Sequence, residues 1–194
     1  LRSSSAASDV YKRQIYLHYA TSKSRAGQIA LDIQNQGGSA TLVQGDLRTK
    51  GGVDAVFDEI KSHGHGIDIL INNAGIYPVS TLMDMSEADW RNMFAANCDS
   101  AFLCTQKAAK QMIERGNGNI INIASLSATM PGPMHSHYNS SKAALVMFTK
   151  SSAQELGPLG IRVNCVSPGL VNRPGLEQDW PEGVQSWTDK SPLS

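Results

Sequence analysis

Strand-like and helical patterns alternate along this chain, and that alternation is the strongest constraint on its fold. Short apolar runs predict buried strands at 15–19, 40–43, 67–71, 119–124 and 161–166. Helical patterns separate them, and the stripe of Val53, Val56, Phe57 and Ile60 is a clear example at i, i+3, i+4 and i+7. Successive strands joined by helices favour a parallel sheet covered on both faces. Right-handed crossovers then give a doubly wound, Rossmann-like α/β fold with three αβα layers.

Capping residues place the helix ends. Thr49 and Ser86 are predicted N-caps, and glycines at 116 and 118 end the long helical pattern that runs past Asn97. A further helix is predicted from Ser136 to Leu156.

Polar or turn-forming residues follow four of the predicted strands: Asp46, Asn73, Ser125 and Pro168. In open parallel sheets, ligands bind outside the carboxyl ends of the strands. The sequence therefore predicts one shared site at this edge.

The bulk composition excludes several partners. With 194 residues, one α/β domain is expected. The 17 basic and 17 acidic residues cancel, so neither nucleic acid nor an anionic membrane is predicted as a partner. No run approaches the roughly 20 apolar residues of a membrane span, which favours a cytoplasmic location. The three cysteines, Cys98, Cys104 and Cys165, are predicted to be buried thiols in a reducing compartment.

Tyr138 and Lys142 indicate acid–base chemistry. At i and i+4 they share one helix face, where the ammonium favours the phenolate form of the tyrosine. A phenol with a lowered pKa is a usable proton donor and acceptor near neutral pH. Ser125 lies thirteen residues before Tyr138, and the group points to reactions of carbonyl compounds.

Four motifs occur in order: Asn-Asn-Ala-Gly at 72–75, Asn-Ile-Ile-Asn-Ile-Ala-Ser at 119–125, Tyr-Asn-Ser-Ser-Lys at 138–142 and Val-Asn-Cys-Val-Ser-Pro-Gly at 163–169. Together they resemble the short-chain dehydrogenase/reductase family over residues 15–192, specifically its branch similar to 3-oxoacyl-carrier-protein reductases. The resemblance implies an oxidoreductase that transfers hydride between a nicotinamide cofactor and a secondary alcohol or carbonyl substrate. That substrate is a 3-oxoacyl thioester or another ketone. A homo-tetramer or homo-dimer, formed through the helices at 86–115 and 136–156, is implied as well.

The resemblance also assigns roles to individual residues. It implies the catalytic set Asn97, Ser125, Tyr138 and Lys142. Cofactor contacts are implied for Ser22, Lys23, Asp46, Leu47, Asn73, Ala74, Gly75, Tyr138, Lys142, Pro168, Gly169 and Val171.

Cofactor choice is predicted from the end of the strand at 15–19, which corresponds to the family's second strand. Family members that prefer NAD carry an acid there, whereas this chain has Tyr19, followed by Ser22, Lys23 and Arg25. These residues are suited to a 2′-phosphate, so NADP is expected, with NAD left open. Arg173 stands where the family usually has threonine, and its expected partner is an anionic substrate or a cofactor phosphate.

Both ends depart from the family pattern. Residues 1–14 are polar and aperiodic and are expected to be a non-native segment, with one partial domain over 15–194. The family's first strand and its Gly-x-x-x-Gly-x-Gly turn are absent, as are its last helix and strand. We therefore expect the 194 residues alone to be poorly stable and inactive.

Other functions stay open at this point. One alternative is a non-catalytic dinucleotide-binding or regulatory protein that keeps the fold. A Ser–His hydrolase using Ser125 and His137 would lack the Gly-x-Ser-x-Gly pattern. His135 and His137 are too few ligands for a predicted metal site. Trp180 and Trp187 are expected in a substrate-covering segment, packed on substrate or on that segment itself.

Overall fold

A computed structural model describes residues 14–64, 66–171 and 175–190 of the chain. Its strands are β1 (Gln14–Tyr19), β2 (Ser39–Gln44), β3 (Ile69–Asn72), β4 (Gly118–Ile123) and β5 (Ile161–Val166). Its helices are α1 (Lys23–Asn35), α2 (Lys50–Ser62), α3 (Glu87–Phe94), α4 (Ser100–Arg115), α5 (Ser136–Leu156), α6 (Leu176–Asp179) and α7 (Pro181–Lys190). A π-helical turn, Ala95–Asp99, joins α3 to α4, and 3₁₀ turns lie at Leu126–Ala128 and Gly157–Leu159.

All five strands are parallel, as predicted, but they form two sheets instead of one. Strand β1 pairs with β2, and β3, β4 and β5 pair in that order. In a doubly wound sheet of order 3-2-1-4-5-6, removal of the first strand separates the second from the fourth. The division therefore lies where the sequence analysis expected a central strand to be missing.

One apolar core joins the two sheets. Helices α2 and α4 supply most of its buried side chains, including Val53, Phe57 and Met112. The others come from strands β2, β4 and β5 and from Ile67, which precedes β3. Tyr16 of β1 and Leu70 of β3 pack against this same cluster. Because the described strands make no ladder across the division, side-chain packing connects the two halves of the fold.

Several boundaries match their sequence signals. The Thr49 hydroxyl accepts a hydrogen bond from the Gly52 amide at 3.1 Å, and Ser86 forms a capping box with Asp89. Gly116 ends α4 with φ of 71°, a left-handed conformation that favours glycine. Helix α5 and strand β5 have the predicted bounds.

Strand β3 begins two residues later than predicted. The backbone of Ile67 bonds to helix α4 instead of a neighbouring strand. Its amide donates to Gln111 at 3.4 Å, and its carbonyl accepts from Arg115. The Ile67 side chain is buried in the apolar core, which explains its apolar character although its backbone does not pair with a strand.

The prediction for the cysteines is right only for Cys104. That side chain lies buried in α4, and burial raises its thiol pKa to about 12. Cys98 in the π-helical turn and Cys165 in β5 are half-buried instead.

The turn between β2 and α2 is held by an ion pair. Arg48 binds the Asp46 carboxylate through its guanidinium at 2.7 Å and through its backbone amide at 3.0 Å. Another guanidinium nitrogen of Arg48 donates to Asn92 on α3 at 2.9 Å. These bonds lower the pKa of Asp46 to about 2, with the Arg48 side chain as the main cause.

The Asp46 shift predicts a pH-dependent loss of stability. The native pKa lies below the ordinary 3.8, so the pair stabilises the fold above about pH 4. Its contribution disappears as the pH falls through 4 toward 2. Asp46→Asn should therefore lower the free energy of unfolding at pH 7, and its difference from the parent chain should shrink at acid pH. Urea unfolding at pH 7, 4 and 3 measures both.

The matched control is Asp58→Asn, an exposed carboxylate on α2 that accepts no hydrogen bond within the described residues. It should change the unfolding free energy little. An Asp46→Asn effect that is equally large at pH 3 and pH 7 would contradict the role of the charged pair.

Candidate active site

The carboxyl ends of β4 and β5 are held side by side. The Ala124 amide donates to Val166 at 2.8 Å, and the Leu126 amide donates to Pro168 at 2.9 Å. Ser125 and Pro168 therefore leave the sheet as neighbours, as expected for parallel strands with a shared edge.

Asn97 lies in the π-helical turn and is 1% exposed. Its side-chain oxygen accepts from the Ile76 amide at 2.8 Å, while its side-chain nitrogen donates to the Ile76 carbonyl at 2.9 Å. The amide thus pairs with the chain just after Asn-Asn-Ala-Gly as a neighbouring strand would. The long helical pattern predicted past Asn97 is therefore interrupted at this residue by the π-helical turn. Such π turns are frequent at functional sites.

Ser141 links Asn97 to helix α5. Its hydroxyl donates to the Tyr138 carbonyl at 2.8 Å and accepts from the Asn97 side chain at 3.3 Å. Ser141 was not predicted from the sequence. The structure buries it completely, and the only sequence signal was a small polar residue directly before Lys142.

Tyr138 and Lys142 share a face of α5, as their spacing predicted. The ammonium lies 5.8 Å from the centroid of the tyrosine ring and donates to the Ile123 carbonyl at 2.9 Å. Lys142 is 6% exposed, and this burial lowers its pKa. Tyr138 is half-buried.

Gly75 brings the first motif against this group. A β-carbon built on Gly75 would lie 2.7 Å from the Asn97 side-chain oxygen and 3.7 Å from the Lys142 ammonium. A side chain here would displace Asn97, so the close approach requires glycine. Gly75, Asn97 and Lys142 therefore converge from three separate elements.

Ser125 follows β4 with extended backbone, at φ of −167°. Its hydroxyl oxygen accepts from the Ser127 amide at 3.1 Å, which starts the 3₁₀ turn. A hydroxyl has one donor and two acceptor sites, so the Ser125 O–H stays available to donate.

A buried polar ladder supports the site from below. The Asn72 amide donates to Asn122 at 2.8 Å, and the Asn122 amide donates to Thr149 on α5 at 2.9 Å. Asn72 also donates to Thr105 of α4 at 3.1 Å. The ladder fixes α5 against β3 and β4. Asn72 and Asn122 belong to two of the sequence motifs, whereas Thr105 and Thr149 were not singled out from the sequence.

The candidate cofactor residues lie at several separate places in the fold. Asn73, Ala74 and Gly75 are exposed beside Asn97, and Ser22 and Lys23 are exposed where α1 begins. Gly169 lies under the ring of Trp187, and Val171 is exposed after it. Leu47 packs half-buried on the core. Arg173 lies outside the described residues.

The resemblance implies that Asp46 contacts the cofactor, and that contact stays a prediction. In the structure both carboxylate oxygens of Asp46 accept hydrogen bonds from Arg48. Arg48 was not singled out from the sequence. Its signal was a basic residue two positions after Asp46 in the same turn.

The residues beside β3 fit a nicotinamide dinucleotide. Gly75 leaves the backbone open to close approach, and the described residues accept only one hydrogen bond from the Lys142 ammonium, which has three donors. Two donors of the Lys142 ammonium are therefore available to a ligand. The described part of the chain has no group of three or more His, Cys, Asp or Glu side chains placed to hold a metal.

His137 is buried, with 1% of its surface exposed, and its Nδ1 has no partner within the described residues. Burial lowers its pKa, so the ring is neutral at pH 7. No hydrogen bond between described residues joins this ring to Ser125, although a Ser–His hydrolase needs one.

Within residues 14–64, 66–171 and 175–190, no helix combines the length and hydropathy needed to cross a membrane.

Solved structures with this fold include enzymes that act on quite different substrates. Acetoin dehydrogenase from Enterobacter cloacae has a TM-score of 0.78 and 37% identity, covering 86% of this chain and 66% of that one. L-sorbose reductase from Gluconobacter frateurii, complexed with NADPH and L-sorbose, has a TM-score of 0.80 and 33% identity, covering 92% and 66%.

Sequence comparison gives the family. The 3-oxoacyl-[acyl-carrier-protein] reductase of Synechocystis sp. is 34% identical over 158 residues, which are 81% of this chain and 64% of that protein. The chain thus spans slightly less than two thirds of this relative. The family model described as short chain dehydrogenase matches residues 6–184. The resemblance drawn from the four motifs is confirmed, and the chain belongs to the short-chain dehydrogenase/reductase family, in the branch similar to 3-oxoacyl-carrier-protein reductases.

Proposed function

We propose that this chain forms the catalytic part of an oxidoreductase that interconverts a secondary alcohol and a carbonyl compound. The observation that carries the proposal is the convergence of Tyr138 and Lys142 with Asn97 and Gly75. A bound nicotinamide dinucleotide supplies or accepts the hydride. The chain itself orients the substrate and moves the proton.

Tyr138 exchanges that proton with the substrate oxygen. The Lys142 ammonium lies 5.8 Å from the centroid of the tyrosine ring in a buried site, where it stabilises negative charge that develops during the proton transfer. The Ser125 hydroxyl donates to the substrate oxygen and stabilises the charge that develops there. Asn97 and Ser141 hold α5 in register with the turn at Gly75.

Tyr138→Phe tests this assignment. The substitution keeps the ring and removes the proton donor, so kcat/KM for ketone reduction should fall by about 10²- to 10⁴-fold. The assay follows NADPH absorbance on the completed chain, meaning these 194 residues joined to the family's first strand with its glycine-rich turn and to its last helix and strand.

Dinucleotide affinity, measured by calorimetry on the same chains, is the control and should be unchanged. A Tyr138→Phe chain with full activity would contradict the role of the tyrosine. The 194 residues alone should show no turnover, since the sequence holds no Gly-x-x-x-Gly-x-Gly turn to receive the cofactor's pyrophosphate.

NADP is the proposed cofactor. Ser22 and Lys23 are exposed at the N-terminus of α1, where backbone amides and the helix dipole favour an anion. Strand β1 ends at Tyr19, which bonds Gln44, so no carboxylate repels a 2′-phosphate there. L-sorbose reductase, a structural relative, was solved with NADPH.

Lys23→Ala should weaken the use of NADPH selectively. Loss of one charge-assisted hydrogen bond costs about 1.5–3 kcal/mol, so kcat/KM with NADPH should fall at least about tenfold on the completed chain. The value with NADH should stay the same. Lys61→Ala, an exposed lysine in the last turn of α2, is the control. Equal losses with both cofactors would refute the phosphate contact.

The outer faces of the long helices favour self-association. Trp90, Phe102 and Met147 are 39%, 44% and 59% exposed on α3, α4 and α5, and the Phe102 and Phe148 rings meet edge to face. Exposed apolar patches of this kind mark interaction surfaces. We therefore propose a homo-tetramer or homo-dimer that covers these helices.

Phe102→Asp should shift the chain to smaller species in sedimentation velocity, because it places a charge in the proposed interface. Gln34→Asp, an exposed site on α1 and outside the proposed interface helices, should leave the distribution unchanged. An unchanged distribution for Phe102→Asp would exclude this face as the interface.

The three cysteines form no disulfide. Free thiols persist in reducing compartments, and this favours the cytoplasm as the proposed location.

A further inference from the structure

Arg48 lies in the turn after β2, on the other side of the sheet division from the reacting groups. The Gly45 amide donates to the Tyr19 carbonyl at 3.3 Å, so β1 and β2 leave their sheet as neighbours. The Lys142 ammonium instead bonds Ile123 at the exit of β4. A dinucleotide bound at the carboxyl edge of a doubly wound sheet lies across the point where the strand order reverses. With its nicotinamide half at Lys142, its other half, which carries the purine base, reaches the exits of β1 and β2.

The guanidinium of Arg48 is hydrogen-bonded along its edge. Its Nε donates to Asp46 at 2.9 Å, its Nη2 donates to the same carboxylate at 2.7 Å, and its Nη1 donates to Asn92 on α3 at 2.9 Å. Because the three nitrogens lie in one plane, these bonds fix the orientation of that plane. The side chain is nevertheless 50% exposed. A ligand can therefore meet Arg48 at a flat face of the group, where no hydrogen bond is made.

The Asp46 carboxylate has no acceptor site left for a ligand. Its Oδ1 accepts from the Arg48 amide at 3.0 Å and from Nε at 2.9 Å, and its Oδ2 accepts from Nη2 at 2.7 Å and from Nε at 3.2 Å. A carboxylate offers about four lone-pair sites, and these four bonds use them. The 6-amino group of adenine is a hydrogen-bond donor. It would find no partner on this carboxylate.

A fixed guanidinium plane is suited to stacking. Guanidinium groups stack on aromatic rings through their delocalised charge and flat shape. Stacking accepts any base, because every base has a π face. Since Asp46 and Asn92 already hold the plane of Arg48, a ring that stacks on it immobilises little that was free before, which favours binding.

We infer that Arg48 is the platform on which the purine base of the dinucleotide stacks, and that the base is recognised by its face and not by its 6-amino group. A 6-oxo purine is then accepted as well as adenine. Asp46 and Asn92 are positioning residues, which act by holding the plane of Arg48. The inference rests on the proposed function for the binding of a dinucleotide, and not for the transfer of hydride.

The test measures the binding of three probes to the 194-residue chain by calorimetry. The probes are adenosine 5′-monophosphate (AMP), inosine 5′-monophosphate (IMP) and ribose 5-phosphate, which lacks the base. AMP and IMP should have Kd values within about threefold of each other, since both present the same purine face. Ribose 5-phosphate should bind at least about fivefold more weakly, because it cannot stack. Recognition of the 6-amino group would instead weaken IMP at least about tenfold.

Arg48→Lys separates the flat group from its charge. Lysine keeps a positive charge beside Asp46 but has no plane, so IMP should bind at least about fivefold more weakly, while ribose 5-phosphate binds as before. Arg91→Lys is the matched control, because Arg91 is an exposed guanidinium on α3 that bonds the Glu87 carboxylate at 2.7 Å. It should leave all three Kd values unchanged. The comparison of AMP with IMP uses the parent chain, so it holds even if a variant fails to fold.

Four results would each overturn the inference: IMP binding more than about threefold weaker than AMP, ribose 5-phosphate binding as tight as AMP, IMP binding unaffected by Arg48→Lys, or a folded chain that binds neither nucleotide. Failure of the proposed function gives a different result. If both nucleotides bind at Arg48 but the completed chain reduces no ketone with NADPH, the platform stands and the oxidoreductase proposal fails. If the completed chain uses NADPH but not its hypoxanthine analogue, the oxidoreductase proposal stands and the inference fails.

Discussion

The pairing of the Asn97 side chain with the Ile76 backbone is the interaction on which the candidate site depends. In a regular α-helix every backbone amide of residues 95–99 would bond the carbonyl four residues earlier. The π-helical turn adds one residue to that turn and so changes the direction in which Asn97 projects. Asn97 then acts as a short piece of strand for the chain leaving β3. Through Ser141 the same amide reaches α5, so one side chain sets the spacing between the turn at Gly75 and the tyrosine–lysine face.

The site is built from polar groups that are buried but satisfied. Lys142, Asn97, Asn122 and Thr149 are each less than 10% exposed, and each has a hydrogen-bond partner at about 2.8–3.0 Å. An unpaired group in such surroundings costs about 1–3 kcal/mol, so the network is either complete or destabilising. This makes the orientation of α5 specific: a shift of one residue along the helix would leave several groups without partners at once.

Much of this was predictable from local patterns. Tyr138 and Lys142 follow from helical spacing, and Ser125 and Pro168 follow from their positions at strand ends, because periodicity acts over a few residues. Arg48 and Ser141 were missed because each also bonds a residue that is distant in sequence. Arg48 donates to Asn92 and Ser141 accepts from Asn97, and these residues become neighbours only in the folded chain. Ile67 was assigned to a strand for the same reason: apolar sequence does not distinguish ladder pairing from side-chain bonding to a helix. The division of the sheet was foreseeable only from the family pattern.

That division has a consequence for how these residues behave in concentrated solution. Within the described strands, β1 and β3 each have a single ladder neighbour, and Ile69 and Ile71 of β3 are 42% and 57% exposed. An open parallel edge with apolar residues is a template on which the strand of another molecule can align. The number of molecules that can add along such edges has no fixed limit, whereas two helix faces that pack together form a closed dimer contact. A segment that filled the edge would therefore act as a solubility element for the domain, independently of any part it played in binding a dinucleotide.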